Sequence, residues 1–239
     1  MSDALVIIPT YNEKENIREI IGAVFGLPEP FHLLIVDDNS PDGTGALVKE
    51  LLPVYEGRLF LEERQNKSGL GTAYIHGFRW ALQGDYAYIF EMDADFSHRP
   101  KDLLRLYESC KIHGVGMTVG SRYVKGGKIK NWPWSRVLMS YFASLYVRLI
   151  TGLPIIDTTA GFVCYRKEVL QTIDLDKIRF VGYAFQIEMK YAAYKLGFRL
   201  KEVPITFIDR VRGKSKMSLK IFNEAFLGVI KIRMNKYAR

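Results

Sequence analysis

An α/β fold with a mainly parallel central sheet flanked by helices follows from three observations on this 239-residue sequence. Short apolar runs alternate with stretches of helical periodicity five times within the first half of the chain. Turn-rich, acid-bearing segments follow the first, second and fourth of those runs, at the edge where such sheets bind ligands. Apolar residues make up 48% of the chain and charged residues 25%, with 20 Gly and 9 Pro. That balance supplies a sizeable core and excludes disordered, collagenous and coiled-coil classes.

Residues 4–8 form a first strand that stops at Pro9, and 13–25 form a helix with Ile17, Ile20, Ile21 and Val24 at helical spacing. Residues 33–36 are a second strand, closed by Asp37-Asp38 and the turn-forming NSPDGT; Leu47, Leu51 and Leu52 then restore a helical period. A short third strand at 58–61, the loop NKSGLG, a helix running to Leu82 and a fourth strand at 86–92 ending in DADFSHRP come next. A helix over 100–113 and a strand at 116–120 complete the alternation. Beyond Trp132 come a long aromatic-rich helix (133–151), the segment DTTAGFVCYRKEVL, a helix at 184–196, a strand at 200–208 and a last helix from Ser218. With no Gly/Ser-rich linker, residues 1–239 read as one domain whose character changes near 130.

The formal net charge of +8 is uneven. Residues 199–239 hold 11 Lys/Arg against 3 Asp/Glu, whereas residues 1–198 balance at 23 of each. No acid occurs between Glu108 and Asp157, a stretch carrying Lys111, Arg122, Lys125, Lys128, Lys130, Arg136 and Arg148. Such patches meet anions, whether nucleic acid, phosphorylated substrates or an acidic membrane surface. Cys110 and Cys164 lack metal-ligand or disulfide-framework spacing, which fits a reducing, cytosolic setting. The N-terminus carries Asp3 and no cleavage site, so no secretory signal is expected. The apolar stretch 137–147 stops at Arg148, short of the roughly 20 residues a membrane span requires.

Asp93-Ala94-Asp95 is the sharpest chemical feature. Two carboxylates two residues apart, where a strand breaks into a loop, can turn toward one point. Hard cations such as Mg²⁺ or Mn²⁺ take such oxygens together with substrate phosphates. A D-x-D also serves turns and helix caps; its place on the ligand edge, with Asp37 and Asp38, favours a ligand role, because acidic groups converge there and only a cation or hydrogen-bond donors would stabilise them. The turn Pro9-Thr10-Tyr11-Asn12-Glu13 offers N–H groups, an aromatic face and a carboxylate to a nucleoside. Asp38 either accepts from base or ribose or closes an Asx-turn. Gly69-Leu70-Gly71 matches no phosphate-binding fingerprint and reads as packing. Arg122, in GSRY, and the cationic loop from Arg210 to Lys216 supply countercharge for a diphosphate. His32, His76, His98 and His113 are scattered and read as structural or surface groups.

In this order and spacing, PTYNE, VDDNSPDGT, GLGTAYIHGF, MDADFSHRP, GSRY, DTTAGF and DRVRGKSK resemble the dolichol-phosphate mannosyltransferases, also called polyprenyl-phosphate mannose synthases, over roughly residues 4–217. The resemblance implies the nucleotide-diphospho-sugar transferase fold (GT-A, Rossmann-like) and inverting transfer of mannose from GDP-mannose to a polyprenyl phosphate. It implies that Pro9, Tyr11, Glu13, Val36 and Asp38 hold the nucleoside. Asp93, Ala94 and Asp95 would border the diphosphate, with Asp93 and Asp95 on Mg²⁺ or Mn²⁺. Arg122, Arg210 and Lys216 would bind phosphate groups and Arg136 the lipid phosphate, which makes Asp93, Asp95 and Arg122 the catalytic set. Residues to about 130 would form the nucleotide-sugar half, and those from about 131 the acceptor-binding, membrane-facing half. Ser97 replaces a metal-side Gln of some members, and Val163 stands where members often carry a basic residue. Such an acceptor phosphate is already ionised near neutral pH and attacks without a strong base. The absence of a Ser-His-Asp or Cys-His constellation agrees with that chemistry, and orienting two anions becomes the main task. Asp157 fits either orienting the acceptor or sugar, or capping a helix.

Trp132, Trp134, Tyr141, Phe142 and Tyr146 interleave with the bases of the acid-free stretch, and 219–234 is an apolar helix striped with polar residues. Helices of this kind suit a membrane interface, with packing against the sheet as the alternative. The expectation is a cytoplasmic enzyme held peripherally at a membrane's cytoplasmic face, without a nucleic-acid partner. A same-family transferase using UDP-glucose or UDP-N-acetylglucosamine is the nearest rival. A basic nucleic-acid-binding module lacks an accompanying RNA-reading motif, and a nucleotidyltransferase lacks its N-terminal Gly-rich loop.

Overall fold

The computed structural model describes residues 2–209, 219–235 and 237. The first half repeats strand and helix: β1 (Ala4–Thr10), α1 (Lys14–Phe25), β2 (His32–Asp37), α2 (Thr44–Leu51), β3 (Leu59–Glu63), α3 (Leu70–Gln83), β4 (Tyr88–Glu91), α4 (Asp102–Lys111) and β5 (Val115–Ser121). The second half holds β6 (Lys128–Lys130), α5 (Trp134–Thr151), β7 (Val163–Arg166), α6 (Lys167–Thr172), α7 (Tyr183–Lys195), β8 (Arg199–Pro204), β9 (Thr206–Ile208) and α8 (Leu219–Met234).

Seven strands form one sheet in the order β3-β2-β1-β4-β7-β5-β8, and β6 and β9 pair separately. All neighbouring pairs in the large sheet are parallel except those of β7, which runs against both β4 and β5. The C-terminal ends of β1, β2, β4 and β5 therefore share one edge. Side-chain alternation along each strand divides the core into two layers. Ala4, Val6 and Ile8 face α1, α2 and α4, whereas Leu5 and Ile7 face α3 and α7. The expected α1 residues Ile17, Ile20, Ile21 and Val24 are all fully buried there.

The second half differs from expectation, and β6 lies where no element was expected. The strand expected over 200–208 is two strands in different sheets, because the chain leaves the large sheet at Pro204 and pairs with β6 from Thr206. The segment DTTAGFVCYRKEVL, given no element from sequence, contributes β7 and α6. Gly71 is a packing glycine: a Cβ there would lie 2.7 Å from the Phe185 ring of α7. Among the described residues, no helix is long and apolar enough to cross a membrane. Cys110 and Cys164 are both buried free thiols.

Candidate active site

The loops after β1 and β2 are tied to each other. Ser40 Oγ accepts from the Asn12 N–H at 3.0 Å, Thr44 Oγ1 from the Glu13 N–H at 3.0 Å, and Asp42 from the Lys14 N–H at 3.1 Å. Asn12 and Asn39 adopt left-handed φ values of 58° and 55°, which Asn tolerates better than bulkier residues. The Asx-turn expected at Asp38 belongs to Asp37, whose carboxylate accepts from Ser40 N, Ser40 Oγ and Thr10 Oγ1. Asp38 instead receives a guanidinium fork from Arg64, at 2.6 and 2.8 Å. Arg64 donates onward to Thr72 on α3, so the base of this cleft is rigidly braced. Lys67 lies 4.0 Å from the centroid of the Tyr11 ring. Pro9, Tyr11 and Glu13 remain partly exposed, but the Val36 side chain lies in the core and offers a nucleoside only its backbone.

At the end of β4 the carboxylates divide by environment. Asp95 is 8% exposed and accepts from the Ser97 N–H at 3.0 Å, while the Asp93 side chain is 39% exposed. Ala94 between them is buried, and Phe96 takes φ 61° to turn the loop. The buried Ser97 Oγ has no hydrogen-bond partner among the described residues. His98 is also buried, stacked on Phe162 at 4.8 Å, and its Nδ1 accepts from the Asp93 N–H at 3.1 Å. Burial lowers its pKa to about 4, opposed by the charge of Asp95. It therefore stands as a neutral brace for the acidic loop.

Among the described residues, no three His, Cys, Asp or Glu side chains converge to enclose a metal ion. Asp93 and Asp95 offer hard carboxylate oxygens, the donor type that Mg²⁺ or Mn²⁺ takes together with substrate phosphate and water. The donor set fits such an ion.

Arg122 follows β5 and is locked to Asp157. Its backbone N–H, Nε and Nη2 donate to that carboxylate at 2.9, 2.7 and 2.6 Å, and Nη2 also reaches Thr159 Oγ1 at 2.9 Å. Asp157 is fully buried in the loop before β7, where it caps no helix; Glu202 on β8 accepts from the Ile156 and Asp157 N–H groups. The Arg122 guanidinium is flanked by the rings of Tyr123, Trp132 and Phe207 at 5.1, 5.6 and 5.5 Å. Arg136 on α5 pairs with Asp209 at 3.1 Å and lies 4.0 Å from the Trp132 ring centroid. Arg210 and Lys216 lie outside the described residues. Val163 lies on β7, fully buried and paired with Glu91, so the core occupies the place of a basic group.

Beneath both sides runs a buried polar chain that sequence reasoning missed. Glu91 accepts from Tyr165 Oη at 2.8 Å and from the Gln186 side-chain amide. Lys190 donates to the Ala160 carbonyl at 2.6 Å and to the Gln186 carbonyl at 3.0 Å. Burial raises Glu91 to about 7 and lowers Lys190 to about 8, each shift opposed by the other's charge. Helix α7 thus links the strand before Asp93 to the loop that carries Asp157 and Thr159. Arg64 and His98 were missed as site residues too: Arg64 ends an ordinary strand, and a lone His carries no spacing signal.

A mostly parallel sheet whose C-terminal edge gathers the tied loops after β1 and β2, the carboxylates after β4 and Arg122 after β5 is that of the GT-A, Rossmann-like glycosyltransferase fold. Residues 5–174 match glycosyl transferase family 2; the chain belongs to that family and is a glycosyltransferase. It is 48% identical over 225 residues, 94% of this chain and 84% of the relative, to the polyprenol monophosphomannose synthase of Mycolicibacterium smegmatis. It is 45% identical to the undecaprenyl-phosphate mannosyltransferase of Micrococcus luteus, covering 94% of this chain and 91% of the relative. The family resemblance read from the motifs therefore holds. Among solved structures, the glucosyl-3-phosphoglycerate synthase of Mycobacterium tuberculosis superposes with a TM-score of 0.69 at 15% identity, over 97% of this chain and 80% of that one. A mannosyltransferase of Pyrobaculum calidifontis, in complex with GDP-Man and Mn²⁺, has a TM-score of 0.62 at 16% identity, over 96% and 69% of the two chains.

Proposed function

We propose that this enzyme transfers mannose from GDP-mannose to a polyprenyl phosphate, with inversion at the anomeric carbon and with Mg²⁺ or Mn²⁺. One observation carries the reading. The Asp93 and Asp95 carboxylates after β4 and the Arg122–Asp157 lock after β5 lie on the same sheet edge, in a chain nearly half identical to two mannosyltransferases named for polyprenyl phosphates. The GDP-Man and Mn²⁺ bound by the Pyrobaculum enzyme support the choice of donor and ion.

In this reading the loops up to about residue 130 take the donor, and the elements from about 131 take the acceptor. Pro9, Tyr11, Glu13, the Val36 backbone and the Arg64-braced Asp38 surround the nucleoside. Asp93, Ala94 and Asp95 border the diphosphate, and a cation held by the two aspartates would neutralise charge on the leaving group. Arg122 and Arg136, with Arg210 and Lys216, meet phosphate. The acceptor oxygen arrives ionised, so the protein need only align it with the anomeric carbon and exclude competing water. His98, buried and neutral, supports the Asp93 backbone and is not the base.

The acceptor is a membrane lipid, and the surface of α5 suits one. Trp134, Phe142 and Leu149 are 75, 58 and 76% exposed, beside the exposed Lys128 and Lys130. We place this face peripherally on the cytoplasmic side of a bilayer. The reading is tested by incubating the protein with labelled GDP-mannose, polyprenyl phosphate and Mg²⁺ or Mn²⁺, then extracting lipid. Label is expected in the organic phase and lost with chelator; label only from UDP-glucose or UDP-N-acetylglucosamine would overturn the donor.

A further inference from the structure

Trp132 closes the chain's turn into α5 and, among the described residues, is the one aromatic ring placed against both acceptor-side arginines. Its ring centroid lies 4.0 Å from the Arg136 guanidinium carbon and 5.6 Å from that of Arg122, and Phe207 packs against it at 5.2 Å. Its indole Nε1 is shielded from solvent and finds no hydrogen-bond partner among the described residues. A buried indole N–H normally has an acceptor, because leaving one unmade forfeits a bond that water would have supplied. The group is a donor only, with no charge and no acceptor capacity. What it lacks is an acceptor oxygen brought from outside, in a place lined by two cations.

We propose that the Trp132 indole N–H is a third donor of the acceptor-phosphate seat, alongside Arg122 and Arg136; this rests on the polyprenyl-phosphate reading above. A phosphate monoester presents three terminal oxygens, more than a single guanidinium fork satisfies. Arg122 already commits Nε and Nη2 to Asp157 and Thr159, and Arg136 is paired with Asp209. A neutral donor adds a phosphate contact at this point without adding repulsion between the two guanidinium groups. The indole also gives direction: its ring faces cations while its N–H selects an oxygen acceptor. The exposed Trp134, two residues further on, marks the adjoining apolar surface along which a prenyl chain would run.

The test uses farnesyl phosphate as a short acceptor probe and farnesol as its uncharged counterpart, each titrated calorimetrically in detergent against the full-length protein. Trp132→Phe keeps a ring against Phe207 and both guanidinium groups but removes the N–H. It is expected to weaken farnesyl phosphate about tenfold, ~1.4 kcal/mol, with farnesol and GDP binding unchanged. In turnover, the KM for lipid phosphate rises and that for GDP-mannose does not. As a check that does not depend on the variant's stability, the ¹⁵N-labelled wild type displays three indole resonances, and farnesyl phosphate but not farnesol shifts that of Trp132. Equal losses for farnesyl phosphate and farnesol, or an unmoved resonance, would overturn the inference alone. Wild-type protein that ignores farnesyl phosphate would overturn the acceptor reading and this inference with it.

Discussion

Asp95 and Lys190 show how differently charge is handled a short distance apart. Asp95 lies in the loop after β4, 8% exposed, where its carboxylate accepts from the Ser97 N–H; in the proposed reading it serves the ligand more than stability. Asp95→Asn is therefore expected to lower sugar transfer by about 10²-fold or more while the thermal midpoint stays near wild type; parallel assays of rate and melting check both. Lys190 is the reverse case, a fully buried ammonium whose pKa burial draws down from 10.5 to about 8. Between those values the unfolded chain binds a proton that the folded chain does not, so folding stability rises with pH. From pH 8 to 9.5 this contribution is at most ~1.4 kcal/mol per pH unit, and Lys190→Met is expected to flatten that limb. Urea denaturation at stepped pH, comparing variant with wild type, measures the difference. Neither the burial of Lys190 nor its reach to Ala160 has a signature in sequence, where a lysine four residues after a glutamine reads as solvated surface.

At the scale of elements, α7 explains what local pattern can and cannot convey. Residues 184–193 are buried without interruption, so the helix has no polar face and no amphipathic stripe to read. Its existence and approximate limits were legible from composition; its polar core, Gln186, Glu188 and Lys190, was not. The helix is also the surface against which α3 closes, through Gly71. Gly71→Ala would place a methyl 2.7 Å from Phe185 and 2.8 Å from the Phe180 carbonyl. Overpacking of that kind costs about 1–3 kcal/mol, and because α3 carries Thr72, a partner of Arg64, nucleotide affinity should fall with stability. Chemical denaturation and GDP titration of the same variant check the coupling. The short β7 was missed for another reason: four residues with no alternation are placed by pairing with strands more than forty residues away. By contrast, β1, α1 and β2 were legible because their periodicity, turn residues and burial agree.

For the whole molecule, the uneven charge read from sequence becomes geometry. The acid-free stretch supplies β6, with the exposed Lys128 and Lys130, and α5, with the exposed Trp134, Tyr141 and Phe142. Arg122 and Arg136, proposed above to meet phosphate, are buried or partly buried, so the exposed bases are available to an anionic surface while Arg122 is not. Trp134→Glu combined with Phe142→Glu is expected to reduce co-sedimentation with vesicles containing phosphatidylglycerol by at least fivefold, ~1 kcal/mol, without altering GDP binding. Sedimentation at low and high salt separates the apolar share from the electrostatic one, which weakens as the Debye length shortens. Sheet order was the least legible feature at this scale, since nothing in the residues 157–170 announces that they return to the middle of the sheet.

That return has a consequence for how the chain is made. Until residues 163–166 leave the ribosome, β4 has an open flank and β5 has no bridge to it. The loops after β1, β2 and β4 can take shape on the earlier strands, but synthesis must pass the Asp157 loop before they are fastened to β5 and Arg122. The last strand to enter the middle is thus a clasp, and its lateness makes the growing chain vulnerable to pairing with its neighbours.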